Sequence, residues 1–188
     1  MPAFTRAELD AFRDTEVPDL YGDDLRLLFV GINPGLWTAA VQTHFAHPSN
    51  RFYPALLAAG IITRPIDPVT GMTTEDRAHF TDRGLGLTNL VRRATARADE
   101  LEPAELRAGG TALHAFVTER GPRVVAIAGI TAYRAAFKVP GARAGRQPGT
   151  FAGATLWVVP NPSGLNAHET AATLARAYAE PAREAGVL

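Results

Sequence analysis

The sequence contains no cysteine and only one lysine, Lys138, among its 19 basic residues, and its 19 Lys+Arg balance 19 Asp+Glu. Without cysteine there are no disulfides, thiol nucleophiles, cysteine-held zinc sites or thiolate-held iron–sulfur clusters. No apolar run approaches the roughly 18 residues that a membrane span needs. Met1-Pro2-Ala3-Phe4 leads into acidic residues rather than a basic and then apolar leader, so a soluble cytoplasmic protein is expected. Neither common glycine-rich phosphate loop occurs, which weakens a reading as a small-molecule nucleotide-binding protein. What is present suffices for a core: 46% of the 188 residues are apolar and 20% charged, at a length suited to one domain.

The zero net charge is an average over uneven segments. Residues 1–24 hold the acids Glu8, Asp10, Asp14, Glu16, Asp19, Asp23 and Asp24 against Arg6 and Arg13. From Arg120 to His168 there is no acid, while Arg120, Arg123, Arg134, Lys138, Arg143 and Arg146 are basic, and Arg92, Arg93 and Arg97 form a further cluster. The planar guanidinium fork suits bidentate phosphate contacts. The pattern divides the chain into an acidic N-terminal arm, 1–24, and a single domain, 25–188, with a basic surface expected to face a polyanion. The plainer alternative is a scatter of solvated charges.

Apolar runs mark strands at Leu25–Ile32 (LRLLFVGI), Leu85–Val91 (LGLTNLV), Val124–Ala128 (VVAIA) and Thr155–Val159 (TLWVV). Helical segments are expected over 6–16, 49–59, 74–82, 103–119 and 131–137, and from Ala167 or His168 to Ala185 with an interruption near Pro181. Gly109-Gly110 weakens the middle of the fourth, and 138–153 reads as a Gly/Pro-rich connection. Strands apolar throughout, alternating with helices, indicate an α/β protein: a three-layer α/β/α sandwich on a mostly parallel central sheet. Ligands in such folds sit beyond the carboxyl ends of the strands.

Two strand ends run into unusual polar loops. Gly31-Ile32-Asn33-Pro34-Gly35 confines Asn33 to extended geometry before a proline and allows close backbone approach. Its carboxamide cannot act as a base near neutral pH but can hold a water. Pro160-Asn161-Pro162-Ser163-Gly164-Leu165-Asn166 presents an apolar Leu165 on a stiff polar loop, as a wedge into a base stack requires. Each has a plain reading as well, an ordinary turn for the first and a leucine tucked onto the core for the second.

GINPG at 31–35, FAHPSNRF at 45–52, GLTNLV at 86–91 and NPSGLN at 161–166 come in the order found in a known family. Across residues 26–180 the chain resembles the mismatch-specific uracil/thymine DNA glycosylases of the uracil-DNA glycosylase superfamily. The resemblance implies a monofunctional enzyme of base excision repair that flips uracil out of G·U mismatches, with thymine or bulkier modified pyrimidines as further candidates. Asn33 would position the water that attacks C1′. Phe45 would stack on the flipped base, with Ile32, Thr38, His44 and Asn89 around it. Asn161, Pro162, Ser163, Gly164, Leu165 and Asn166 would form the DNA insertion loop. The partner would be double-stranded DNA, in the bacterial cytosol at the nucleoid, bound by a monomer needing neither cofactor nor metal. Asn89 and Ala167 stand where bacterial members carry lysine and arginine, and Asn89 and His44 are similar to the thymine-acting branch. The competing reading is a lesion sensor that flips bases but barely cleaves them, since the first loop lacks an acidic residue.

Overall fold

The computed structural model describes residues 4–188; residues 1–3, the start of the expected acidic arm, lie outside them. Strands β1 (Leu27–Gly31), β2 (Leu85–Asn89), β3 (Val124–Ala128), β4 (Gly145–Arg146) and β5 (Thr155–Val159) form one sheet in the order β2-β1-β3-β5-β4. The first three and β5 run parallel, and only β4 is antiparallel. Leu27 pairs with both Leu85 and Val124, and Val124 with Thr155, so the carboxyl ends of all four parallel strands finish together.

Helices α1 (Arg6–Asp10), α2 (Leu36–Val41), α3 (Phe52–Ala58), α4 (Thr74–Asp82), α5 (Pro103–Arg120), α6 (Ile130–Phe137) and α7 (Ala171–Glu184) complete the chain. Alternate side chains of each strand go to opposite faces. Leu27, Phe29, Val124 and Ala126 pack with Phe52, Leu56, Phe80 and Tyr178 of α3, α4 and α7. Leu28, Val30, Val125 and Ile127 pack with Leu113, Val117 and Tyr133 of α5 and α6. These two cores, one on each side of the sheet, make the three-layer sandwich expected from the sequence.

The departures have local causes. Helix α1 stops at Asp10 instead of continuing to 16, because the backbone beyond it is claimed elsewhere: Asp14 N–H donates to the Ala94 carbonyl and Ala94 N–H to the Thr15 carbonyl. Further on, Leu20 forms an antiparallel bridge with Leu87 on the free edge of β2. Helix α2, unforeseen, is short enough to escape periodicity; it buries Leu36 and Ala39 against Val17 and Ala94. Strand β4 lies inside the segment 138–153, expected only as a Gly/Pro-rich connection. Helix α7 begins only at Ala171, where Thr170 and Thr173 form a capping box, and it runs through Pro181 unbroken.

The paired glycines of α5 serve packing. A Cβ on Gly109 would collide with the Leu90 carbonyl, and one on Gly110 would crowd the Ala136 carbonyl at 3.2 Å. The helix therefore gives up some intrinsic stability to lie directly on the chain leaving β2. Replacing Gly109 by alanine is expected to cost about 2 kcal/mol through overpacking, a fall of about 4–8 °C in melting temperature for a domain of this size. Gly141→Ala, where nothing lies within 4 Å of the added carbon, should leave the melting temperature within about 2 °C. Equal effects in a thermal melt would remove the packing explanation.

Candidate functional site

A cleft of about 730 Å³ opens at the carboxyl ends of the parallel strands, walled by the first loop, Phe45, Asn89, the segment 95–98 and the second loop. Asn33 lies at the tip of β1. Its Nδ2 donates to Thr95 Oγ1 at 2.7 Å and to the Arg93 carbonyl at 3.1 Å. Thr95 spends its own proton on the Arg97 carbonyl at 2.7 Å, so its oxygen is left to accept from Asn33. Both amide protons of Asn33 are thereby directed away, and its Oδ1 remains an acceptor toward the cleft. The Arg93 peptide is itself secured, because the Arg93 side chain pairs with Glu105 at 2.5 Å and Asp14 at 3.1 Å. Hydrogen bonds from Arg93 and from the Glu102 peptide draw the half-buried Glu105 carboxyl down to about 2.

Phe45 adopts a left-handed backbone, φ 57°, uncommon for an aromatic residue. The peptides around it enforce the conformation: the His44 carbonyl accepts from Tyr53 Oη at 2.9 Å and Ala46 N–H donates to Thr38 Oγ1 at 3.2 Å. The Phe45 ring stacks on Phe52 with centroids 4.1 Å apart, and it also lines the cleft. Gly31 lies beneath; a side chain there would collide with Asn89 Oδ1 and meet the Phe45 ring at 3.2 Å.

His44 does not reach the cleft surface. It is 3% exposed, with Nε2 2.9 Å from the Pro18 carbonyl and Nδ1 3.1 Å from Asn89 Nδ2. Burial lowers its pKa and favours the neutral ring.

The second loop is braced from inside. Ser163 N–H donates to Asn161 Oδ1 at 3.0 Å, and Asn166 Nδ2 donates to the Asn161 carbonyl at 3.1 Å. Arg51 supports it from below: its N–H donates to the Pro162 carbonyl and its guanidinium to the Asn166 carbonyl, both at 3.0 Å. Gly164 sits so close to Ser49, 2.6 Å from Ser49 Cβ to where a Cβ would be, that no side chain fits. Leu165 is left at the tip, 84% exposed.

The charge pattern resolves differently from its appearance in sequence. Arg92 pairs with Asp19, Arg93 with Asp14 and Glu105, and Arg97 with Asp99, so the arginine cluster beside the cleft is largely neutralised within the protein. Residues Arg120–His168 are not one surface. Arg120 and Arg123 flank the entry to β3, at the end of the sheet away from the cleft; Arg120 stacks over Tyr21 at 4.8 Å, and Arg146 pairs with Glu184. A run free of acids in sequence folds around both ends of the sheet.

Of the residues singled out from the sequence, Asn33, Ile32, Thr38, Phe45, Asn89, Asn161, Ser163, Gly164, Leu165 and Asn166 share the cleft, while His44 and Pro162 lie behind its walls. Two residues were missed. Arg51 lies inside the FAHPSNRF motif, so its brace was findable in principle, whereas Thr95, 62 positions from its partner, carries no sequence signal.

A sequence model of the uracil DNA glycosylase superfamily matches residues 18–182. Among solved structures, the fold is similar to the solution structure of a protein from Methanosarcina acetivorans proposed to be a uracil DNA glycosylase. The two share 15% identity with a TM-score of 0.58, over 88% of this chain and 98% of that one.

Removing the Arg51 side chain should loosen the second loop alone. In Arg51→Ala, amide hydrogen exchange at 163–167 is expected to rise by about tenfold or more, as loss of a charged hydrogen bond predicts. Exchange in the strands should stay within about twofold of its original rate; parallel acceleration there would show that Arg51 supports the whole domain.

Proposed function

The chain belongs to the uracil DNA glycosylase superfamily, and from that membership we propose that it releases uracil opposite guanine from duplex DNA, with thymine and modified pyrimidines as lesser substrates. The superfamily makes it a DNA glycosylase, a hydrolase of N-glycosidic bonds. Asn33 carries the finer reading: its amide nitrogen is held twice over, its oxygen faces the cleft, and no carboxylate lines that cleft among the described residues.

The residues then divide the reaction. A base leaves the duplex, at a cost lowest at a mispair, and rests against Phe45. Leu165 enters the space left behind, held by the Arg51-braced loop. The bond from C1′ to the base nitrogen breaks with its electron pair going to the base, and positive charge develops on the sugar. Water held by Asn33 Oδ1 adds to C1′ and loses its proton to solvent, and the departing base anion is protonated. Without a carboxylate to take that proton, rate comes from placement of the water and from fixed dipoles, which suits a leaving group that departs readily. The same missing carboxylate favours a second reading, a mismatch sensor that flips bases and cleaves slowly.

Incubation with G·U, G·T and A·U duplexes and single strands, followed by alkaline cleavage of abasic sites, decides between them. G·U DNA should yield abasic product; none at stoichiometric protein would leave the sensor. Asn33→Ala should abolish turnover while keeping mismatch affinity. Thr95→Val should lower kcat about tenfold with KM within about twofold, the effect of releasing one orienting hydrogen bond; a change in KM alone would assign Thr95 to binding. Leu165→Ala should impair mismatched duplexes more than single strands, and equal impairment would remove the wedge role.

A further inference from the structure

We propose that residues 15–20, a strap outside the catalytic loops, set which pyrimidine the cleft accepts, acting through His44 on the amide of Asn89. This rests on the reading of the cleft as a pyrimidine site. The strap grips the chain on both sides of Asn89. Leu20 and Leu87 exchange backbone hydrogen bonds at 3.0 and 2.7 Å, and Ala94 N–H donates to the Thr15 carbonyl at 3.0 Å. Asp19 accepts from Thr88 Oγ1 at 2.7 Å and pairs with Arg92 at 2.5 Å.

Between these grips, the Pro18 carbonyl meets His44 Nε2. A carbonyl can only accept, so Nε2 carries the proton. The ring is neutral in its buried setting, where Arg77 and Arg92 oppose a positive charge and Asp19 favours one. Nδ1 is then a bare lone pair facing Asn89 at 3.1 Å, and only the NH₂ of the Asn89 amide can satisfy it. An asparagine left alone can present either its oxygen or its nitrogen. Here a carbonyl on the strap, relayed by one imidazole, removes that freedom.

The consequence lies on the cleft floor. Asn89 Oδ1 is held over Gly31 beside the Phe45 ring, and no hydrogen bond from within the described residues reaches it. Set opposite N3 of a base resting on Phe45, a fixed acceptor complements uracil and thymine, which carry a proton there, and opposes cytosine, whose N3 is itself an acceptor. A freely turning amide fits both. His44 is therefore a positioning residue, and the strap its anchor.

The test compares binding of duplexes carrying 2′-fluoro-2′-deoxyuridine or 2′-fluoro-2′-deoxycytidine opposite a tetrahydrofuran abasic analogue, so that neither base is paired. Excision of the ordinary nucleotides in the same context is measured alongside. The unaltered protein should prefer uracil at least about tenfold, the scale of one satisfied against one opposed hydrogen bond. His44→Leu, which keeps bulk and removes both bonds, should erase most of that ratio. His44→Gln, which can repeat both bonds, should restore it. Asp19→Ala, remote from the cleft, should lower the ratio about threefold by loosening the strap. Equal loss of affinity for both bases in His44→Leu, with the ratio kept, overturns the proposal, as does an unchanged ratio in Asp19→Ala. If His44→Leu fails to fold, His44→Gln and Asp19→Ala still decide. Selective binding of uracil without its release would sink the glycosylase reading and leave the strap standing. Equal binding of the two bases by the unaltered protein overturns the strap.

Discussion

Everything at the cleft depends on four parallel strands ending at one level. Their pairing places Gly31, Asn89, Ala128 and Val159 on a common rim, so loops far apart in sequence must meet there. That register is set by apolar side chains filling two separate cores, and a slip of one residue would send each strand's side chains to the wrong face. The polar loops carry none of this load. They are free to hold residues poorly suited to packing, such as the extended Asn33 and the left-handed Phe45, because the strands beneath them are already fixed.

On that rim, chemistry is decided by the direction of hydrogen bonds more than by their number. A carboxamide is ambiguous until its neighbours force a choice, and Asn33 and Asn89 both have such neighbours. Asn33 faces two oxygens, one of which has already given away its proton. Asn89 faces an imidazole nitrogen whose state is fixed from behind. Charge plays the secondary part: Arg92 and Arg93 are engaged with acids of the N-terminal segment and of α5, and Arg97 with Asp99. Those pairs are at least partly open to solvent, so their worth lies less in stability than in holding peptides such as that of Arg93 in place.

The sandwich was legible because VVAIA, TLWVV and LRLLFVGI are apolar throughout and alternate with helices. The cleft was legible because its loops carry rare residue combinations at strand ends. What escaped was whatever depends on long-range contact. Thr95 is an ordinary threonine until the fold brings it to Asn33. Gly109-Gly110 reads as helix-weakening until the Leu90 carbonyl appears against it. Helix α2 is too short for a periodic signal. The acid-free run misled for a related reason: adjacency along the chain is not adjacency on a surface, and successive elements of an α/β sandwich run to opposite ends of the sheet.

The antiparallel bridge between Leu20 and Leu87 has a meaning apart from recognition. Strand β2 is an outer strand, and its open side would offer unpaired amides and carbonyls to any passing extended chain. The strap occupies that side, much as the two-residue β4 closes the opposite margin with little room for further pairing. A shortened protein beginning near Asp24 would bare a ready template for sheet-to-sheet association, and would be lost first to self-assembly in solution, before any deficit in DNA handling could be observed.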